Sequence, residues 1–165
     1  MQATIDYAKA NPQAVAAMRS LESYVRGCDL DAGLLELVRT RASQINGCAY
    51  CLDMHTKDAR AAGETEQRLY LLSAWREAPC YSPRERAALA WTEALTRIDR
   101  GVPENDYRLA REQFTERELV DLSIAVIAIN GWNRLAIPFR TPAGTYHRSP
   151  ARGTRSGDPE QEAQK

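Results

Sequence analysis

The sequence predicts an all-α fold, and three observations carry that expectation. Apolar residues recur every three to four positions along most of the chain. Helix-start signals stand at "NP" (11–12), "SPRE" (82–85) and "TERE" (115–118). No stretch alternates convincingly with the period of two that a half-buried strand requires. At 165 residues the chain suits one domain with a core that needs no disulfide or metal staples.

The elements follow in order. Asn11 caps a first helix with Pro12 at its favoured first position. Val15, Met18, Leu21 and Val25 share one face, and Gly27 closes it. A second helix runs from about 31 to 44 on Leu34, Leu35, Val38 and Ala42, and Asn46-Gly47 breaks it. A third spans about 48–62, with Gly63 as terminator. A fourth, about 66–77, rests on Leu69, Leu72 and Trp75. The helix opened by "SPRE" reaches about Arg100 before Gly101, and a short one follows Pro103. "TERE" opens a long helix to about Ile137, stopped by Pro138. It is apolar almost all round, which predicts a central position or cover from another subunit. The expected organisation is one helical domain over 1–142 and a flexible tail over 143–165, rich in Gly, Pro, Ser and charge and including His147.

Composition excludes several classes. Lys plus Arg and Asp plus Glu both number 22, so neither nucleic acid nor an acidic membrane is an expected charge-driven partner. The N-terminus has no basic start followed by an apolar run, and the most apolar window, 119–129, contains Asp121 and falls short of a bilayer. A soluble, cytoplasmic protein is expected. Four cysteines are too sparse for a disulfide scaffold.

The chemistry-bearing stretch is "ELVRTRASQINGCAYCLDMH", 36–55. Gly47 separates two helices, so Cys48 and Cys51 fall in the first turn of the second. Free N–H groups and the helix dipole there favour a thiolate. Three residues apart on a helix, the two sulfurs are close enough for a disulfide. His55, four beyond Cys51, shares its face and can take a thiol proton. If the helices pack antiparallel through the tight turn, Glu36 approaches His55 and can hold the imidazole in one tautomer. Carboxylate, imidazole and two thiols suit peroxide reduction through a sulfenic acid that condenses to a disulfide, restored by an external dithiol.

Two blander readings stand beside this one: a pair of buried thiols, or a zinc site on Cys48, Cys51, His55 and Glu36. Structural zinc sites usually bring a second knuckle, and this chain has none. Cys28 and Cys80 follow no pattern and read as structural. Trp91, Trp132 and Tyr107 read as core or interface aromatics. Asn130, Asn133 and Arg134 read as hydrogen-bonding groups that satisfy the end of a buried helix.

Glu36, "CAYC" at 48–51 and His55, together with "INGWNRLAIPFRTP" at 129–142, resemble the alkylhydroperoxidase D-like (AhpD-like) proteins of the carboxymuconolactone decarboxylase superfamily, over roughly residues 12–142. The resemblance implies an all-helical bundle that assembles as dimers, trimers or hexamers. It implies a peroxidase in which Cys51 becomes the sulfenic acid and Cys48 serves as proton donor and resolving thiol. Glu36 and His55 form the relay. No cofactor and no bound metal are expected. In founding members a second histidine precedes the second cysteine, where this chain has Tyr50. Their electron donor is a lipoyl-bearing protein. Relatives that act as lactone decarboxylases, the rival activity, are expected to lack the cysteine pair.

Overall fold

The computed structural model describes residues 4–148. Among them there are eight α-helices and no strand. They are α1 (Tyr7–Ala10), α2 (Pro12–Gly27), α3 (Ala32–Asn46), α4 (Ala49–Ala61), α5 (Glu66–Leu71), α6 (Pro83–Thr96), α7 (Glu104–Gln113) and α8 (Glu116–Ala136). Residues 149–165 of the expected tail lie outside the described residues. The caps are those the sequence signalled. Asn11 accepts from the Ala14 N–H, and Ser82 with Glu85 and Thr115 with Glu118 close full capping boxes.

Three stretches differ from expectation, the first being the helix opened by "SPRE", which ends at Thr96 short of Arg100, with a 3₁₀ turn over Ile98–Arg100. α1 is a single turn capped by Asp6, too short to leave a periodic signal. The expected helix over 66–77 stops being α-helical at Leu71, and Leu72–Ala74 forms a 3₁₀ turn. Its apolar residues Leu69, Leu72 and Trp75 repeat every three positions, the period at which 3₁₀ side chains eclipse. All three are buried.

α3, α6 and α8 pack on one another. α2 lies against α8, α4 against α3, and α7 against α6. The main core joins Val25, Leu34, Val38, Trp91, Leu122 and Val126. A second cluster gathers Leu37, Leu72, Trp75 and Leu89. By length and composition α8 could cross a bilayer. In this fold it is a core helix: Asp121, Asn130 and Asn133 are all buried against protein, and Asp121 accepts from the Tyr24 hydroxyl at 2.6 Å. Its outer side still exposes Val120 and Ile127. Trp91 donates to Ser123 and leans on Tyr107, which is itself exposed.

The α3–α4 turn positions the cysteines. Gly47 adopts φ +71° and ψ +31°, its N–H returns to Gln44, and the Cys48 N–H returns to Ser43. This pairing is a Schellman closure. Cys48 is therefore both the residue that completes the end of α3 and the N-cap of α4. A methyl group added at Gly47 would meet nothing within 4 Å, so only the backbone conformation opposes a side chain there. Gly47→Ala is expected to cost about 1–2 kcal/mol, the penalty of a left-handed L-residue, read as a lower urea midpoint. A midpoint equal to wild type would contradict this account of the turn.

Candidate active site

The antiparallel packing of α3 on α4 brings Glu36 to His55, with Oε2 at 2.9 Å from Nδ1. The other Glu36 oxygen accepts from Arg39 at 2.7 Å, and the same guanidinium donates to Glu22 of α2 at 2.6 Å. Arg39 is buried, as is His55. Burial alone would raise the Glu36 pKa. The His55 hydrogen bond and the nearby Arg39 charge outweigh it and lower the value, so Glu36 is a carboxylate.

Cys48 and Cys51 are both 2% exposed. The Cys48 sulfur caps α4 by accepting the Cys51 N–H at 3.4 Å. The adjoining Cys51 thiol, with that N–H and Asn133, lowers the Cys48 pKa to about 7 against the cost of burial. Cys51 moves the opposite way, because it donates to Cys48 and loses hydration. The two thiols titrate as one unit, with the first proton lost easily and the second held. Tyr50, in the position of the founding members' second histidine, is pushed up by burial first, then by Tyr7, and stays a phenol.

A groove of about 960 Å³ opens over this arrangement. Cys51, His55, Glu36 and Tyr50 line it, whereas Cys48 lies behind. Met54, Leu35 and Trp132 supply apolar wall. The segment after α8 forms one rim: Gly144 N–H donates to Asp53, Lys57 donates to the Tyr146 carbonyl, and the Tyr146 hydroxyl donates to Asp58 at 2.9 Å. His147 also lines the groove.

All four residues singled out from the sequence therefore lie at this one place. Several neighbours were not anticipated. Asp58 is three residues past His55 and seven past Cys51, so its place on that face was readable from spacing. Arg39 is three past Glu36 and was equally accessible. The burial of Asn133 on the face of α8 that packs on the two cysteines had no sequence signal, because it joins α8 to α4. Thr40, one turn beyond Glu36, keeps a buried hydroxyl with no partner among the described residues. Cys28 and Cys80 sit elsewhere, Cys28 against the main core and Cys80 beside the second cluster.

Among the described residues, the groups with metal-ligand spacing are Glu36, His55 and Asp58, within 4.8 Å of one another. The zinc alternative drew instead on both sulfurs, which are not in this cluster. Glu36 is engaged by Arg39 and Asp58 by the Tyr146 hydroxyl, so a cation would have to displace both contacts.

An all-helical bundle with a capped thiol pair beside a Glu–His couple defines an AhpD-like protein. Residues 12–94 match the carboxymuconolactone decarboxylase family, and the chain belongs to it. The uncharacterized protein YdfG of Bacillus subtilis is 43% identical over 146 residues, covering 88% of this chain and 99% of its own. A protein of unknown function from Agrobacterium tumefaciens, with a suggested AhpD-type antioxidant role, superposes with a TM-score of 0.85 at 42% identity, covering 88% of this chain and 100% of its own. The debrominase Bmp8 shares the fold, with a TM-score of 0.75 at 16% identity over 83% of this chain and 74% of its own.

The coupled thiols give a direct expectation. Thiolate absorbance of the reduced protein should rise through pH about 7. In Cys51→Ala, which removes the side-chain donor, the Cys48 step should move upward. A wild-type titration confined to the ordinary thiol range of roughly 8.5 would contradict the geometry.

Proposed function

We propose that this protein reduces organic hydroperoxides with the Cys48–Cys51 pair and is restored by an external dithiol. The observation that carries the reading is the placement of Cys51 in the groove with His55 and Glu36, while Cys48 holds a hydrogen bond to it from behind.

The chemistry balances as follows. As Cys51 attacks the terminal peroxide oxygen, its proton passes to the Cys48 thiolate. The O–O bond breaks, Cys51 becomes a sulfenic acid, and the leaving alkoxide takes the proton from Cys48. The renewed Cys48 thiolate then attacks the Cys51 sulfur. The S–O bond breaks, and the departing oxygen leaves as water with the proton that Cys48 gave up on forming its resting thiolate, delivered through His55, which Glu36 orients. Two thiols and one hydroperoxide thus give a disulfide, an alcohol and water. A dithiol donor, of lipoyl or thioredoxin type, reduces the disulfide by thiolate exchange. A groove of this volume with Met54, Leu35 and Trp132 in its wall suits a peroxide bearing an organic group. A cytoplasmic setting, where the free pair stays reduced, fits the same reading.

Decarboxylation of a lactone is the rival suggested by the family name, and it gives the thiol pair no task. We also favour a homo-oligomer, because Val120 and Ile127 are 60% and 55% exposed on an otherwise apolar helix. Light scattering should give a mass above one 18.5 kDa chain, and a strict monomer would contradict it.

Peroxide consumption with a dithiol reductant should vanish in Cys51→Ser and fall about a hundredfold in His55→Ala and Glu36→Gln, the scale of a lost proton relay. Unchanged turnover in Cys51→Ser would refute the proposal.

A further inference from the structure

Asn133 is fully buried on α8 between Ile129 and Ala136, which pack in one cluster with Cys48 and Cys51. Which end of that amide faces them follows from a chain of hydrogen bonds whose far end admits one arrangement. Asn130 meets the Val126 carbonyl at 2.9 Å, and a carbonyl can only accept, so the Asn130 NH₂ lies there and also donates to Thr96 at 3.1 Å. Its carbonyl oxygen is then turned to the Arg134 guanidinium, which can only donate, at 2.9 Å. The same oxygen accepts from Asn46 at 2.9 Å, which fixes the NH₂ of Asn46. The second hydrogen of that NH₂ goes to the Asn133 oxygen at 2.8 Å. The Asn133 oxygen is thereby occupied on the side away from the thiols. Its NH₂ is left to face Ser43, at 3.3 Å, and the sulfur pair.

We infer that Asn133 is a further catalytic residue of the thiol site: the N–H that Ser43 does not take faces the Cys48–Cys51 sulfur pair and stabilises the thiolate, while Asn46 and Asn130 are positioning residues that fix its polarity. This deepens the thiol-pair reading and adds a role for α8. A neutral donor suits the place. It stabilises negative sulfur before the reaction without forming a competing ion pair, and it costs no reorganisation as charge moves from one sulfur to the other. The anchor lies outside the pair, so the NH₂ keeps facing the sulfurs through the dithiol, sulfenic and disulfide stages.

The charged and titratable groups on the surrounding elements are Glu36 and Arg39 on α3, Tyr50 and His55 on α4, and Arg134 on α8. Arg39 is engaged by Glu22 and Glu36, and Arg134 by Asn130. None of these groups is changed by the test substitutions, so a shift reports on the amide.

The test is titration of thiolate absorbance in Cys28→Ser/Cys80→Ser protein, reduced, with and without a change at Asn133. Asn133→Leu removes the donor at similar volume, and the thiolate fraction below the midpoint should drop about tenfold, one unit of pKa. Asn133→Asp keeps the shape and presents acceptors only, so it should shift the midpoint upward at least as far, and it decides the matter if the leucine variant fails to fold. An unchanged midpoint in a folded variant of either kind would overturn the inference. The measurement uses no peroxide, so its outcome is separate from whether the protein turns peroxides over.

Discussion

The hydrogen bond between Glu36 and His55 is the contact on which the site depends, and it exists because one residue reverses the chain. Gly47 takes a left-handed conformation and closes α3 against its own last turn. α4 then starts at once and runs back along α3. Glu36 lies nineteen residues before His55, yet the two meet at 2.9 Å. The same reversal leaves Cys48 at the N-cap with its sulfur facing the open N–H groups of α4. A longer connection would separate the carboxylate from the imidazole and the sulfur from the helix start together.

The relative size of the electrostatic effects explains why the thiols differ. A helix N-terminus contributes about 0.3–1 kcal/mol to a nearby negative charge, less than one unit of pKa. Repulsion between two thiolates about 4 Å apart is about 4 kcal/mol at an effective dielectric of 20, close to three units. The pair therefore holds one proton firmly. Its location follows from which sulfur accepts more hydrogen bonds. Cys48 receives the Cys51 N–H at 3.4 Å, so the resting charge falls on the sulfur behind the groove. The sulfur that faces the groove keeps the proton until substrate arrives. Accessibility and acidity are thus divided between two residues, which gives the accessible sulfur a built-in proton acceptor.

Much of this was legible in the sequence because it is local. Caps, glycine stops and helical spacing placed the long helices, and Glu36, Cys48, Cys51 and His55 lie within twenty residues joined by one tight turn. The failures are of two kinds. The chain at 72–74 was read as α-helix because a repeat of three fits both an α-helix and a 3₁₀ turn over so short a span. The contribution of α8 was not legible because it depends on tertiary packing: Asn133 meets Asn46 across more than eighty residues of chain. Spacing alone reads Asn130, Asn133 and Arg134 as groups that satisfy the end of a buried helix or an oligomer contact, whereas Asn130 and Asn133 are tied to Asn46 of α3. Asp58 was missed for a lesser reason, since its spacing from Cys51 and His55 was in plain view.

The most direct measurement of the central claim is intact-mass and peptide mass spectrometry of the reduced protein after one equivalent of an organic hydroperoxide. The account predicts loss of two hydrogens, mapped to a Cys48–Cys51 disulfide, and a sulfenic acid trapped on Cys51 in the Cys48→Ser variant. Free thiols at both positions after exposure, or the first oxygen adduct on Cys48, would contradict it.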